Sequence, residues 1–215
     1  MKNFVITIMD TEQSVQAAKR CIRSGEKHGT KIEMFDAVTP RNTNLQEMLE
    51  KEGISQKGFE EVYSRLDNCT AAFLSHYSLW KKAIELKEEV TIFEHDAVVV
   101  NTIPEFMSYN DIINIGKPSY GKYNNPWFVG VGPLMSKPYF PGAHAYRVTP
   151  KGARALVKQA KKAARPTDVF LNLQTFPDLQ EYHPWPVEAR DSFTTIQKER
   201  GCLAKHSYGE SYEIL

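Results

Sequence analysis

Residues 3–38 change periodicity twice, and that change restricts the fold more than any other feature of the chain. "NFVITIM" is apolar and β-branched, as a buried strand should be. "DTEQSVQAAKRCIRSGEKHG" then sets Val15, Ala18, Cys21 and Ile22 at helical spacing, with Gly29 as a stop. "TKIEMFDAV" alternates apolar and polar residues and reads as a second strand. Strand, helix, strand opens an α/β domain, so the expected fold class is α/β with a mostly parallel central sheet flanked by helices.

The rest of the chain extends that plan. Residues 40–67 are polar and poorly periodic, and read as short helices in an insertion. "NCTAAFLSHYSLWKKAIELKEE" predicts a helix capped by Asn68 or Thr70, with Ala72, Leu79, Ala83 and Leu86 on its apolar stripe. It leads into "VTIFEHDAVVV", an apolar strand interrupted by Glu94, His95 and Asp96. A short strand, "DIINI", precedes the Gly/Pro/Tyr/Asn-rich stretch "GKPSYGKYNNPWFVGVGP", which suits a loop or lid over a site. "AHAYRVT" reads as a strand and "PKGARALVKQAKKAAR" as a helix, with Pro150 in its first turn.

At 215 residues the chain suits a single domain over 1–215. A net charge of +1 selects neither nucleic acid nor membrane, so local patches must decide. The three cysteines, Cys21, Cys69 and Cys202, have neither metal-knuckle nor disulfide-framework spacing, which points to a reducing compartment. "MKNFVITIMD" is too short an apolar run for a signal peptide, and the expected location is the cytoplasm, or the host cytoplasm for a viral protein.

Burying unpaired charge is costly, so acids at the end of an apolar strand call for an explanation. Ligands of open α/β sheets bind beyond the carboxyl ends of the strands. In extended backbone Glu94 and Asp96 would point to one side, where hard oxygen donors favour Mg²⁺ or Mn²⁺ and a substrate's phosphates complete the shell. The plainer alternative is a solvated turn.

Further motifs weigh against that alternative. "SHYSLW" (residues 75–80), "IFEHD", "GAHAYRVTPKGARALV" and "PTDVFLN" follow one another in an order that resembles glycosyltransferase family 25. That family includes lipopolysaccharide-biosynthesis galactosyltransferases and the collagen galactosyltransferase domain, and the resemblance runs from residue 3 to about residue 196. It implies a GT-A fold and an inverting, metal-dependent transferase that takes a nucleotide-sugar donor. Residues 1–100 would form the nucleotide-sugar-binding half, and residues 101–215 the acceptor-side half with the C-terminal segment.

Carried over position by position, the resemblance sets Glu94 and Asp96 on the outer acids of the acidic motif. Ser75, His76 and Trp80 fall on the helix motif, Tyr146 on the strand and Asp168 on the Pro-x-Asp. Two positions depart from the family pattern: His95 stands where the middle acid is expected, and "IMDTEQSV" keeps only Asp10 of a Leu-Asp-Arg-type turn.

Expected donor-side residues are therefore Thr7, Asp10, His76, Glu94, His95 and Asp96. Asp96 and Glu94 would hold the metal, with His183 ahead of His144 and His206 as a third ligand. On the acceptor side stand Tyr146, His144, Trp127 and Trp185. Tyr120 and Tyr123 offer further stacking faces, unless these aromatics only pack the loop onto the body. Asp168 is either the general base or the N-cap of a helix over "DVFLNLQTF".

Arg147, Lys151, Arg154, Lys158, Lys161, Lys162 and Arg165 form a run with no acid among them. It reads as a solvated face, or as a contact for anionic lipid headgroups or for the phosphates of DNA carrying a hydroxylated base. The acceptor is accordingly a lipopolysaccharide-type glycan or such DNA. The alternative from another class is a non-catalytic nucleic-acid or partner-binding module that keeps the fold.

Overall fold

The computed structural model describes residues 1–60, 64–190, 193–198 and 213–214. The chain opens as expected, with β1 (Lys2–Thr7), α1 (Glu12–Lys27) and β2 (Glu33–Asp36), and β2 lies parallel to β1. Next come α2 (Leu45–Glu52), a 3₁₀ turn (Gln56–Phe59) and the long α3 (Leu66–Leu86). Strand β3 (Val90–Glu94) returns parallel to β1 on its other side.

"VTIFEHDAVVV" is two strands and not one. Backbone extension ends at Glu94, His95 and Asp96 form a turn, and β4 (Ala97–Val99) leaves the central sheet. The remaining elements are β5 (Ile112–Asn114), β6 (Gly130–Pro133), β7 (Ala145–Val148), α4 (Pro150–Ala160) and α5 (Thr167–Phe170). They are followed by β8 (Gln180–His183), β9 (Val187–Ala189), β10 (Phe193–Thr194) and β11 (Glu213–Ile214). The central sheet has the order β2-β1-β3-β7-β5-β8-β6. Its first three strands are parallel, β7 runs antiparallel to β3 and β5, β8 is parallel to β5, and β6 closes the edge antiparallel to β8. β4 pairs antiparallel with β9.

Period-two alternation in β1 sorts the two faces of the sheet. Phe4 and Ile6 join the core under α3, whereas Val5 joins Ala18 and Cys21 of α1 on the opposite face. α3 is buried on most of its circumference, because it lies between the sheet and α4. Its core side chains include Phe73, Leu74, Tyr77 and Trp80, a wider face than the expected stripe, while Leu86 is 37% exposed. The helix starts at Leu66 with Arg65 at the N-cap position. Asn68 and Thr70 lie inside it and bond elsewhere: Asn68 Nδ2 donates to the Thr195 carbonyl and Thr70 Oγ1 accepts from Gln56.

α4 is capped as its sequence suggests. Thr149 Oγ1 accepts from Gly152 N at 3.0 Å and donates to Asp111 at 2.9 Å. Thr149→Ala should therefore cost about 1 kcal/mol of stability, read as a lower urea midpoint with an unchanged slope. Among the described residues, no helix is long and apolar enough to cross a membrane.

Candidate active site

Beyond the carboxyl ends of β1 and β3 lies a cavity of about 590 Å³. Ile6 and Ile8 form part of its floor, the N-terminal half of α3 one wall, and Ser119, Tyr120, Gly142 and Pro166–Val169 another. Residues 193–197 cross its remaining side. Arg65 at the N-cap position and Asn68 within α3 donate to the carbonyls of Gln197 and Thr195, which ties that crossing to the helix.

Glu94, His95, Asp96, His76 and Asp168 all line this cavity. The two acids of the turn do not project in the extended manner expected, since extension stops at Glu94. Glu94 faces α3, where its Oε1 lies 3.0 Å from His76 Nε2. The Asp96 carbonyl accepts from Arg190 N, and its charge reaches the α1 side, where burial first and Asp96 second raise the Cys21 thiol to about 12. His95 Nδ1 lies 2.8 Å from Ser14 Oγ, and its ring packs against Phe193 with centroids 5.1 Å apart.

Asp168 sits in the first turn of α5, with Pro166 and not Asp168 at the N-cap position. Its Oδ1 accepts from Val169 N at 2.8 Å, and its Oδ2 accepts the Tyr120 hydroxyl. Burial pushes the Glu94 carboxyl above the usual carboxylate range, and the negative charge of Asp168 adds to that shift. The two carboxylates are thus close enough to oppose each other's ionisation.

His76 is buried and bonded at both ring nitrogens, with Nδ1 2.9 Å from the Tyr146 hydroxyl. That hydroxyl also accepts from Trp80 Nε1 at 2.7 Å. An indole nitrogen only donates. The one arrangement in which every hydrogen of the chain finds an acceptor has Tyr146 donating to Nδ1 and Nε2–H donating to Glu94. Burial lowers the His76 pKa to about 3, so the ring is neutral, as this arrangement requires.

Several expected contacts lie elsewhere. Thr7 belongs to the α1 face of β1, and its hydroxyl donates to the Val5 carbonyl. Tyr146 is fully buried against His76 and Trp80, so it does not meet an acceptor. His144 is 2% exposed, with its imidazole against Gly116, and burial lowers its pKa to about 4. Trp127 is 81% exposed and stands outside the cavity lining. Trp185 donates to Glu181 and packs on His183.

His183 cannot join Glu94 and Asp96 around one ion. It lies on β8, separated from β3 by β7 and β5, roughly 14 Å at ordinary strand spacing. Its Nδ1–H donates to the Phe128 carbonyl at 2.9 Å. His206 lies outside the described residues.

The sequence reading missed Arg41. It lines the cavity and forks onto Asp10, with Nε to Oδ2 and Nη2 to Oδ1 both at 2.6 Å, while Nη2 also donates to Thr11 at 3.0 Å. The Arg41 guanidinium holds the Asp10 carboxyl below the usual carboxylate range. Asp10 thus pairs with Arg41, and a guanidinium reaches the end of β1 from the loop after β2.

The cavity thus lies at the parallel strand ends, where ligands of open α/β sheets bind, and carries acids on one side and an arginine on the other. The sequence profile of glycosyltransferase family 25 (LPS biosynthesis protein) matches residues 1–117, more than half of the chain. The chain belongs to that family. No curated protein sequence matches it. Among solved structures it is similar, at 10% identity and a TM-score of 0.39, to a mutant of Drosophila β-1,4-galactosyltransferase 7 in complex with manganese, UDP-Gal and xylobiose. The likeness covers 72% of this chain and 51% of that one, so the chain spans about half the length of its structural relative.

Proposed function

We propose that the protein transfers a sugar from a nucleotide-sugar donor to an acceptor hydroxyl with inversion, assisted by a divalent cation. The observation that carries this reading is the convergence of Glu94, Asp96 and Asp168 on one cavity, with Asp168 close enough for its charge to act on Glu94.

The donor chemistry of these residues fits Mg²⁺ or Mn²⁺. Among the described residues no three His, Cys, Asp or Glu groups gather closely enough to hold an ion alone. A cation here would be held by one or two carboxylates and a substrate's phosphates together. Glu94 and Asp96 would be the protein ligands, and the ion would neutralise the diphosphate that leaves, a contribution of several kcal/mol.

Arg41, fixed in orientation by Asp10, binds the donor's diphosphate from the β1 side. Asp168 accepts the proton of the acceptor hydroxyl as its oxygen bonds to the anomeric carbon. The bond from that carbon to the diphosphate breaks on the opposite face, so one displacement inverts the configuration. Tyr120 holds the Asp168 carboxylate in place through its hydroxyl.

The acceptor is an anionic glycan of the lipopolysaccharide type. Arg154, Lys158, Lys161, Lys162 and Arg165 are exposed along α4 and the turn that follows, which leads directly into Pro166–Val169 of the cavity wall. Arg147 does not belong to that surface. It is buried, and it bonds to Thr91 and to the carbonyls of Pro104 and Glu105.

A panel of nucleotide sugars, with and without Mn²⁺ and with anionic glycans or hydroxylated-base duplex DNA as acceptors, tests the reading. Metal-dependent transfer to a glycan is expected; transfer to DNA alone would replace the acceptor class. Metal-independent DNA binding with no donor recognised would favour the non-catalytic module. Arg41→Ala should raise the donor KM about 10- to 100-fold, the worth of a charge-assisted hydrogen bond, with less effect on the acceptor KM.

A further inference from the structure

We propose that Trp80, Tyr146 and His76 form a one-way hydrogen-bond chain that holds the Glu94 carboxylate as an oriented acceptor at the cavity wall. The three are thus positioning residues for glycosyl transfer. The inference rests on the proposed reading of the cavity and adds to it how Glu94 is held.

Three elements contribute. Trp80 and His76 lie one turn apart on α3 and so share a face, while Tyr146 comes from β7 and Glu94 from the end of β3. β7 pairs with β3 in a register that sets Tyr146 opposite Ile92, two residues before Glu94 and on the same face of the sheet. Each link is short: 2.7 Å from Trp80 to Tyr146, 2.9 Å from Tyr146 to His76 and 3.0 Å from His76 to Glu94. Trp80, Tyr146 and His76 are each no more than 1% exposed, so water does not compete for these hydrogen bonds.

Direction is set at the far end. The Trp80 N–H can only donate to the Tyr146 oxygen, so of the two partners of that hydroxyl it is His76 Nδ1 that accepts the Tyr146 hydrogen. The His76 hydrogen is thereby confined to Nε2, facing Glu94. Rings fix the geometry as well: Trp80 stacks on Phe170 at 5.5 Å, and His76 lies nearly parallel to Tyr146 at 5.7 Å. Glu94 itself lines the cavity. A chain that only filled the core would not need polar tips aligned in one direction toward a half-exposed carboxylate, whose side chain is 31% exposed.

The test is a double-mutant cycle on the full chain. Tyr146→Phe removes one oxygen and keeps the ring. It should lower kcat about 10- to 100-fold, as loss of an orienting partner does, with the acceptor KM little changed. In a Glu94→Gln background the same substitution should cost little further, because Tyr146 acts through Glu94. Should Tyr146→Phe fail to fold, His76→Gln against His76→Phe serves instead. Glutamine still offers an N–H and should retain activity within a few-fold, whereas phenylalanine should lose it. A wild-type kcat in Tyr146→Phe, losses that multiply independently across the cycle, or equal activity of the two His76 variants would overturn the chain's role. If wild-type protein transfers no sugar, or Glu94→Gln retains the full rate, it is the reading of the cavity that fails.

Discussion

Asp168→Asn is expected to lower transfer by about 10²- to 10⁴-fold while donor affinity stays within a few-fold of wild type. Asparagine keeps the size of the side chain and can still accept from Val169 N through its carbonyl oxygen, while its amide nitrogen can donate to the Tyr120 hydroxyl oxygen, so the local fold should persist. What it lacks is the capacity to take the acceptor's proton. Single-turnover transfer with saturating donor measures the chemical step, and titration of the nucleoside diphosphate measures binding. A wild-type transfer rate would remove Asp168 as the base. A lost fold, read by thermal melting, would assign it a structural task in α5.

Asp96→Asn should have an effect of similar size on the other half of the reaction. In the proposed reaction the donor's diphosphate would bring its charge into a cavity already lined by Glu94 and Asp168, and the cation would offset that charge. Removing one anionic ligand should weaken Mn²⁺ activation and cut kcat/KM about 10³-fold, the equivalent of several kcal/mol. The discriminating observation is the Mn²⁺ concentration for half-maximal rate, expected to rise sharply in the variant. If it stays where it is in wild-type protein, Asp96 is not a ligand.

Much of this architecture is legible from periodicity. The β-branched run of β1 and the helical spacing of Val15, Ala18, Cys21 and Ile22 are local signals, and local signals survive into the fold. The break in "VTIFEHDAVVV" is less visible, because apolar residues on both sides hide a two-residue turn. Once the strand ends at Glu94, alternation says nothing about where Asp96 points.

The motif residues His76, Trp80 and Tyr146 can be found in sequence, but their partnership cannot. Trp80 and Tyr146 are 66 positions apart and meet only because β7 pairs with β3. His183 fails as a ligand for a related reason, since sheet order puts two strands between it and Glu94. Arg41 lies in "DAVTPRN", a polar stretch without periodicity; its signal was its place just after the second strand, where α/β sheets build their sites. The basic run misled at Arg147, whose strand position buries it while the helical cations stay in solvent.

The most direct measurement is a crystal structure with Mn²⁺ and a nucleoside diphosphate. The account predicts the ion between the diphosphate and the carboxylates of Glu94 and Asp96, with Arg41 on a phosphate oxygen and Asp168 across an open space sized for the sugar. A diphosphate bound away from the carboxyl ends of β1 and β3, or a metal held without either acid, would contradict it.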